Sequence, residues 1–297
     1  MQQSPISDHY EAFLEQHSLR GSPAIEDERN VIHWSREAVT AVNGGYGQLS
    51  EPQFLQWPAV GLLLNLLHRA FEHLDAAIVN FTTGSAISSE GLSRATVELA
   101  VSIRYILAGQ PETRVAAFLA HYVDVEERRL RHWQEEVASL SEPARHVHHQ
   151  EIERRRTWVV ATGDLVKRLR QEFTTCGAPP LAETWPNIGE RFRAIGESVS
   201  YRTFYARMSS QVHSDAEETI RYLVARVGDD AMLAQRMAAE TIWFSRLGLY
   251  FAAQCFLSAS EDYCRCYYMK QAMTRLRAGQ RIIEDELRST ATKVMVA

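Results

Sequence analysis

Apolar residues recur at helical spacing along almost the whole chain, and the alternation of β-branched residues that marks strands is nearly absent. The clearest case runs from Pro52 to Phe81, where Leu55, Leu62, Leu63, Leu66, Leu67, Phe71, Leu74 and Ile78 form a wide apolar stripe. Prolines and glycines are sparse and fall in clusters, so long helices are interrupted only at a few joints. A chain of this pattern is expected to be all-α, a multi-helix bundle with long antiparallel helices.

The joints set the expected boundaries. A helix over Glu26 to Val42 should stop at Asn43-Gly44-Gly45, and the next should run unbroken from Pro52 to Phe81. Gly84 and Ser88-Ser89-Glu90 separate it from a helix over Gly91 to Leu107, and Gly109 and Pro111 mark the start of another reaching toward Leu140. A charged helix follows from Ala144 to Phe173, then a loop over Thr174 to Pro186 that reads as a hinge. Further helices are expected near Asn187 to Gly196, over Asp215 to Val227, from Asp229 to about Ser260, and from Glu261 to Leu287. The organisation this implies is an N-terminal helical extension over 1–50 and two bundle parts, 51–173 and 187–288, which together make one composite domain.

Composition narrows the function classes. The formal charge of −5 argues against a generally basic nucleic-acid binder. Cys176, Cys255, Cys264 and Cys266 include no C-x-x-C pair and no histidine at zinc-finger spacing, so neither a disulfide framework nor a structural zinc is expected. The first residues lack a basic segment followed by an apolar one, and the apolar stretch Ile242 to Leu257 holds Arg246 and Gln254. The expectation is a cytoplasmic protein with no membrane contact, no metal and no cofactor.

Two stretches carry most of the polar chemistry. In Tyr201 to Asp215, YRTFYARMSSQVHSD, Tyr205, Ser209 and His213 step at i, i+4, i+8 along one helical face, and Arg207 precedes His213 by six residues. Ser214 and Glu217 form a capping box that would start a new helix, setting His213 beside backbone N–H groups that favour an anion. In SRATVELAVSIRYIL, Arg94, Glu98 and Tyr105 share a face with the core-type Val101. Two readings of this second stretch stand. Arg94 and Glu98 are an internal ion pair tying helices together, or Glu98 orients or deprotonates His213 while Arg94 holds an anionic ligand. His213 likewise is either a satisfied core histidine or an acid/base group.

Other signals are weaker. Ser209 lacks the G-x-S-x-G elbow of an activated serine. His146, His149 and Glu153 sit at helical spacing, but no second ligand-rich helix accompanies them. Between Pro143 and Glu172 the chain has seven basic residues against four acidic, a surplus suited to phosphate or to a subunit contact.

These residues carry two resemblances. Ser93, Arg94, Glu98 and Tyr105, followed about a hundred residues later by Tyr205, Ser209 and His213, resemble the paired motifs of an uncharacterised prokaryotic helical family, a domain of unknown function, over roughly Leu63 to Leu249. That likeness implies a helical bundle in which the two motifs face each other. Arg207 and His213, with five residues between them, also resemble the R-x(4–6)-H motif of HEPN domains, although Met208 stands where a polar residue is usual. That resemblance implies a metal-independent ribonuclease or nucleotide-acting effector in a toxin or antiviral system. In it His213 would transfer protons and Arg207 would stabilise phosphate. The pocket expected where the Arg94/Glu98 helix meets the Tyr205–His213 segment would add Glu98 as a catalytic group, with Arg94, Tyr105, Tyr205, Ser209 and Ser214 lining the ligand. RNA or a nucleotide, a second copy of the chain and a regulatory protein are the implied partners. The contrasting expectation is a non-catalytic helical protein that binds a partner or ligand, with Arg94, Glu98 and His213 as a structural network.

Overall fold

The computed structural model describes residues 6–19, 23–57, 59–175, 184–212, 223 and 231–296. The architecture is all-α, with no strand among the described residues. In chain order the helices are α1 (Ile6–His17), α2 (Pro23–Glu26), α3 (Arg29–Tyr46), α4 (Glu51–Gln56), α5 (Val60–Thr82), α6 (Ala86–Leu107), α7 (Pro111–Val137), α8 (Glu142–Thr175) and α9 (Ile188–Ala194). Then α10 (Ser198–Ser200) passes through a π-helical turn, Tyr201–Tyr205, into α11 (Ala206–Val212), and the long helices α12 (Ala231–Cys266) and α13 (Lys270–Val296) follow. The expected helix over Asp215 to Val227 lies outside the described residues.

The chain divides into two compact units, 1–107 with 188–297, and 108–187. In the first, α6 packs along both α5 and α12, while α12 also packs along α13 and α3. Leu63, Leu67, Leu74, Val97, Val101, Ile106, Tyr250, Phe256, Leu257 and Tyr263 are buried along these contacts. Each such side chain contributes roughly 1.5–3 kcal/mol by leaving water, so this stripe-on-stripe packing defines the unit. The second unit is the α7–α8 hairpin. Its core consists of Leu130, Val137, Ile152 and Val159, with Val123 and Trp133 against them. No helix among the described residues is long and apolar enough to cross a membrane.

Some joints differ from the sequence expectation, each for a physical reason. Asn43-Gly44-Gly45 does not stop α3, which continues to Tyr46. Gly45 lies so close to Met269 that a Cβ there would meet its Sδ at 2.6 Å, so this glycine serves helix packing rather than a turn. The helix expected over 52–81 breaks after Gln56, because Trp57 precedes a proline and leaves the helical region (φ −124°, ψ 68°). Ser89 and Glu90, read as part of a linker, are buried inside α6.

Several helix ends share one closure. At Gly84 and Gly196 the chain takes a left-handed conformation (φ 88° and 80°), and the following N–H donates back five residues, Ser85 to Asn80 and Glu197 to Phe192. α12 closes in the same way at Tyr268 (φ 60°), with Met269 N–H donating to Cys264 O at 2.8 Å. α1 closes likewise at Ser18 (φ 56°), with Leu19 N–H donating to Leu14 O at 3.0 Å. A side chain with a Cβ in this conformation costs roughly 1–2 kcal/mol relative to glycine, so Ser18 and Tyr268 both carry that cost.

Candidate functional site

The polar residues of α6 and of the Tyr201–Val212 segment meet. From α6, Arg94 Nε donates to Glu98 Oε1 at 3.0 Å. From the π turn, the Tyr205 hydroxyl donates to the same carboxylate oxygen, and the Arg94 guanidinium lies 5.6 Å from the Tyr205 ring centroid. Burial first, and then the bond to Glu98, push the Tyr205 phenol up to about 12. It therefore stays protonated near neutral pH and keeps donating.

The π turn explains how Tyr205 gets there. Ala206 N–H reaches back to Tyr201 O, one residue further than in an α-helix. This extra residue sets Tyr205 against α6 and stacks it on Tyr201, with centroids 5.6 Å apart and planes 22° apart. Phe192 from α9, fully buried, packs on both rings and fixes them from below. Single π turns of this kind recur at functional sites because they re-aim a side chain without ending the helix.

A second guanidinium enters from α9. Arg191 Nη1 donates to Ser102 Oγ, whose hydroxyl in turn donates to Glu98 O at 2.6 Å. Burial lowers the Arg191 pKa, while Glu98, Tyr205 and Tyr105 lie close enough to favour its charge. Tyr105 is buried beside them. One guanidinium, Arg94, thus pairs with the Glu98 carboxylate, and a second, Arg191, is linked through Ser102 to the Glu98 backbone. Glu98 retains 40% side-chain exposure and Arg94 18%, so solvent reaches the cluster. Next along α6, Arg104 joins Glu197 and Asp262, the latter at 3.0 Å, and ties α6 to the turn after α9 and to α12.

Of the residues singled out from sequence, Arg94, Glu98, Tyr105 and Tyr205 come together. Ser209 is half-buried in α11. Arg207 is exposed and faces elsewhere, with its guanidinium 3.8 Å from the Phe244 ring centroid on α12. Met208 is fully buried against Gly248, where a Cβ would lie 3.2 Å from its Sδ. The apolar residue at the position where HEPN motifs carry a polar one is therefore a core contact at the α11–α12 crossing. His213, Ser214 and the Ser214–Glu217 cap lie outside the described residues. Among the described residues no group of three or more His, Cys, Asp or Glu side chains is arranged to hold a metal, and Glu153 is engaged by Arg156.

Arg191, Ser102 and Phe192 were not singled out from sequence. α9 is only seven residues long, too short for a periodic signal, and Arg191 meets Ser102 across 89 residues of chain. Only the two neighbouring arginines of GERFRA hinted at a charge that had to be placed.

As a chemical arrangement the cluster offers a neutral phenol donor, a solvent-accessible carboxylate, and two cationic forks suited to an anion. Comparison with curated proteins and with solved structures finds no match. A family model matches residues 60–231, which span α5 to the start of α12 and contain every member of the cluster. The chain belongs to this family, a family of unknown function (DUF5677).

Proposed function

We propose that the protein is a HEPN-like, metal-independent ribonuclease or nucleotide-acting effector that receives a phosphate at the Arg94–Glu98–Tyr205 cluster. The observation that carries this reading is the solvent-accessible carboxylate of Glu98, bracketed by Arg94 and by the phenol that the π turn aims at it. Glu98 keeps the access to solvent and substrate that an acid/base group needs. In this reading Arg94 and Arg191 take the phosphate charge, and Glu98 with Tyr205 passes a proton. His213 transfers the second proton and Arg207 contacts the substrate backbone. Two copies of the chain complete the site, and the setting is a cytoplasmic toxin or antiviral system under the control of a regulatory partner.

A second reading has its own support. Arg94, Glu98 and Tyr205 satisfy one another, and Arg104 is held between two carboxylates. A non-catalytic partner- or ligand-binding protein with an internal polar network has the same pattern. Incubation of purified protein with RNA in excess chelator separates the two. The nuclease reading expects cleavage by the wild type and a loss of about 100-fold or more in His213→Ala, at unchanged helical content. Absence of cleavage by both forms would leave the binding reading in place, and equal cleavage by both would overturn the catalytic assignment of His213.

A further inference from the structure

A separate cavity of about 280 Å³ opens where the end of α3 meets the α12–α13 turn, and it is lined by Gly44, Gln48, Tyr268, Lys270, Gln271 and Arg275 among others. No acidic side chain lines it. Arg275 is turned to Glu37, 2.5 Å from Oε1, and among the described residues no carboxylate pairs with Lys270. The first turn of α13 carries no acid either. The cavity is thus cationic, and its charge is only partly neutralised by the chain.

Two residues at its wall stand out. Gly44 lies inside α3, where glycine disfavours the helix, yet a Cβ at this position would meet nothing within 4 Å. Its neighbour Gly45 is forced by Met269; Gly44 is forced by nothing. Tyr268 holds the left-handed closure position that suits glycine; its ring lies 6.0 Å from that of Trp57, yet the residue stays 73% exposed. A glycine that keeps a wall open and a strained aromatic ring held at the rim are both accounted for by a ligand that approaches the α3 backbone and lies against the ring.

We propose that this cavity binds a small phosphorylated ligand with a planar ring, the chemistry of a mononucleotide. Lys270 takes the phosphate, Gln48 and Gln271 supply polar contacts, and Tyr268 stacks on the planar group. The site shares no residue with the α6 cluster and stands whether or not that cluster is catalytic.

The probe is adenosine 5′-monophosphate, titrated calorimetrically into the full chain, with adenosine and inorganic phosphate titrated separately. The nucleotide should bind more tightly than either fragment. Gly44→Leu fills open space and improves helix propensity, so it should fold at least as well and lose binding. Tyr268→Gly relieves the backbone strain but gives up the Trp57 contact, so the chain should still fold while the nucleotide is weakened by roughly tenfold, the weight of one stacked base. Lys270→Met should weaken the nucleotide and phosphate but leave adenosine unchanged. No heat with the nucleotide at millimolar concentration, or unchanged affinity in Gly44→Leu, overturns the site. Phosphate binding as tightly as the nucleotide overturns the stacking role of Tyr268.

Discussion

Both units carry ion pairs within single helices, but the first adds pairs that reach far along the chain. In the first, Arg104 reaches Asp262 across 158 residues, Tyr205 reaches Glu98 across 107, and Arg246 reaches the buried Glu28 at 3.0 Å. In the α7–α8 hairpin, Arg154 and Arg155 turn to Glu151, Arg156 to Glu153 and Lys167 to Asp164, each three or four residues away on the same helix. Pairs of the first kind fix how helices cross. Those of the second kind support a solvated surface and add little. The basic run that invites a phosphate-binding reading of α8 is largely neutralised within its own helix. The guanidinium groups that gather around a site are dispersed through the sequence of the other unit.

The apolar residues show the same contrast. The core of the first unit is continuous, whereas the hairpin rests on a few buried residues and exposes Val147, Trp158 and Leu165. These three recur at near-whole-turn spacing along α8, and Trp158 is 66% exposed.

The sharpest challenge to the comparison is Phe192→Ala. It removes a fully buried ring that supports Tyr201 and Tyr205, and should cost about 3–5 kcal/mol in denaturant unfolding. A loss under about 1 kcal/mol would mean that the π turn is held by something else. Arg104→Ala should come next, at about 2–4 kcal/mol, since it leaves Glu197 and Asp262 facing each other. The cost should persist in high salt because the guanidinium is mostly buried.

One carboxylate from each unit shows how burial and ion pairing shift a pKa in opposite directions. Burial pushes Glu28 up to about 7 against the pull of Arg246, whereas Arg154 and Arg155 hold the half-buried Glu151 at about 2. A carboxyl with a raised folded pKa contributes stability that is present below its unfolded value and lost as pH rises. Stability should therefore fall between about pH 4.5 and pH 7, and Glu28→Gln should flatten that slope in a Tm-versus-pH series. The smallest effect belongs to the hairpin surface. Glu151→Gln should leave Tm unchanged at physiological salt, and a clear drop would show that the hairpin depends on its ion pairs.

The sequence made the helices legible wherever an apolar stripe was long enough to repeat. The stripes of α5 and α12 and the Gly109–Pro111 joint follow directly from the spacing of side chains and the loss of an N–H at proline. What escaped was set by contacts distant in sequence. Gly45 reads as a stop until Met269 is placed against it, and Ser89 and Glu90 read as a linker until their burial is known. At the site, Arg94 and Glu98 were visible because they share a helix face with core residues, and Tyr205 because it lies among polar neighbours. The π turn left no periodic trace, although the two-residue step from Tyr205 to Arg207 already set them on different helical faces. Arg191 was invisible for the reason already given by its short helix.

The central claim is that the Glu98–Tyr205 contact works on a substrate as well as joining two helices. Chelator-treated wild type, Glu98→Gln, Tyr205→Phe and the double variant should be compared for RNA cleavage, with Tm measured in parallel. The account predicts a fall of about 100-fold or more in each single variant, no further fall in the double, and a stability loss of only about 1 kcal/mol for the missing hydroxyl. Full cleavage by Tyr205→Phe and Glu98→Gln alongside a lowered Tm would contradict it, and would make the contact a structural tie alone.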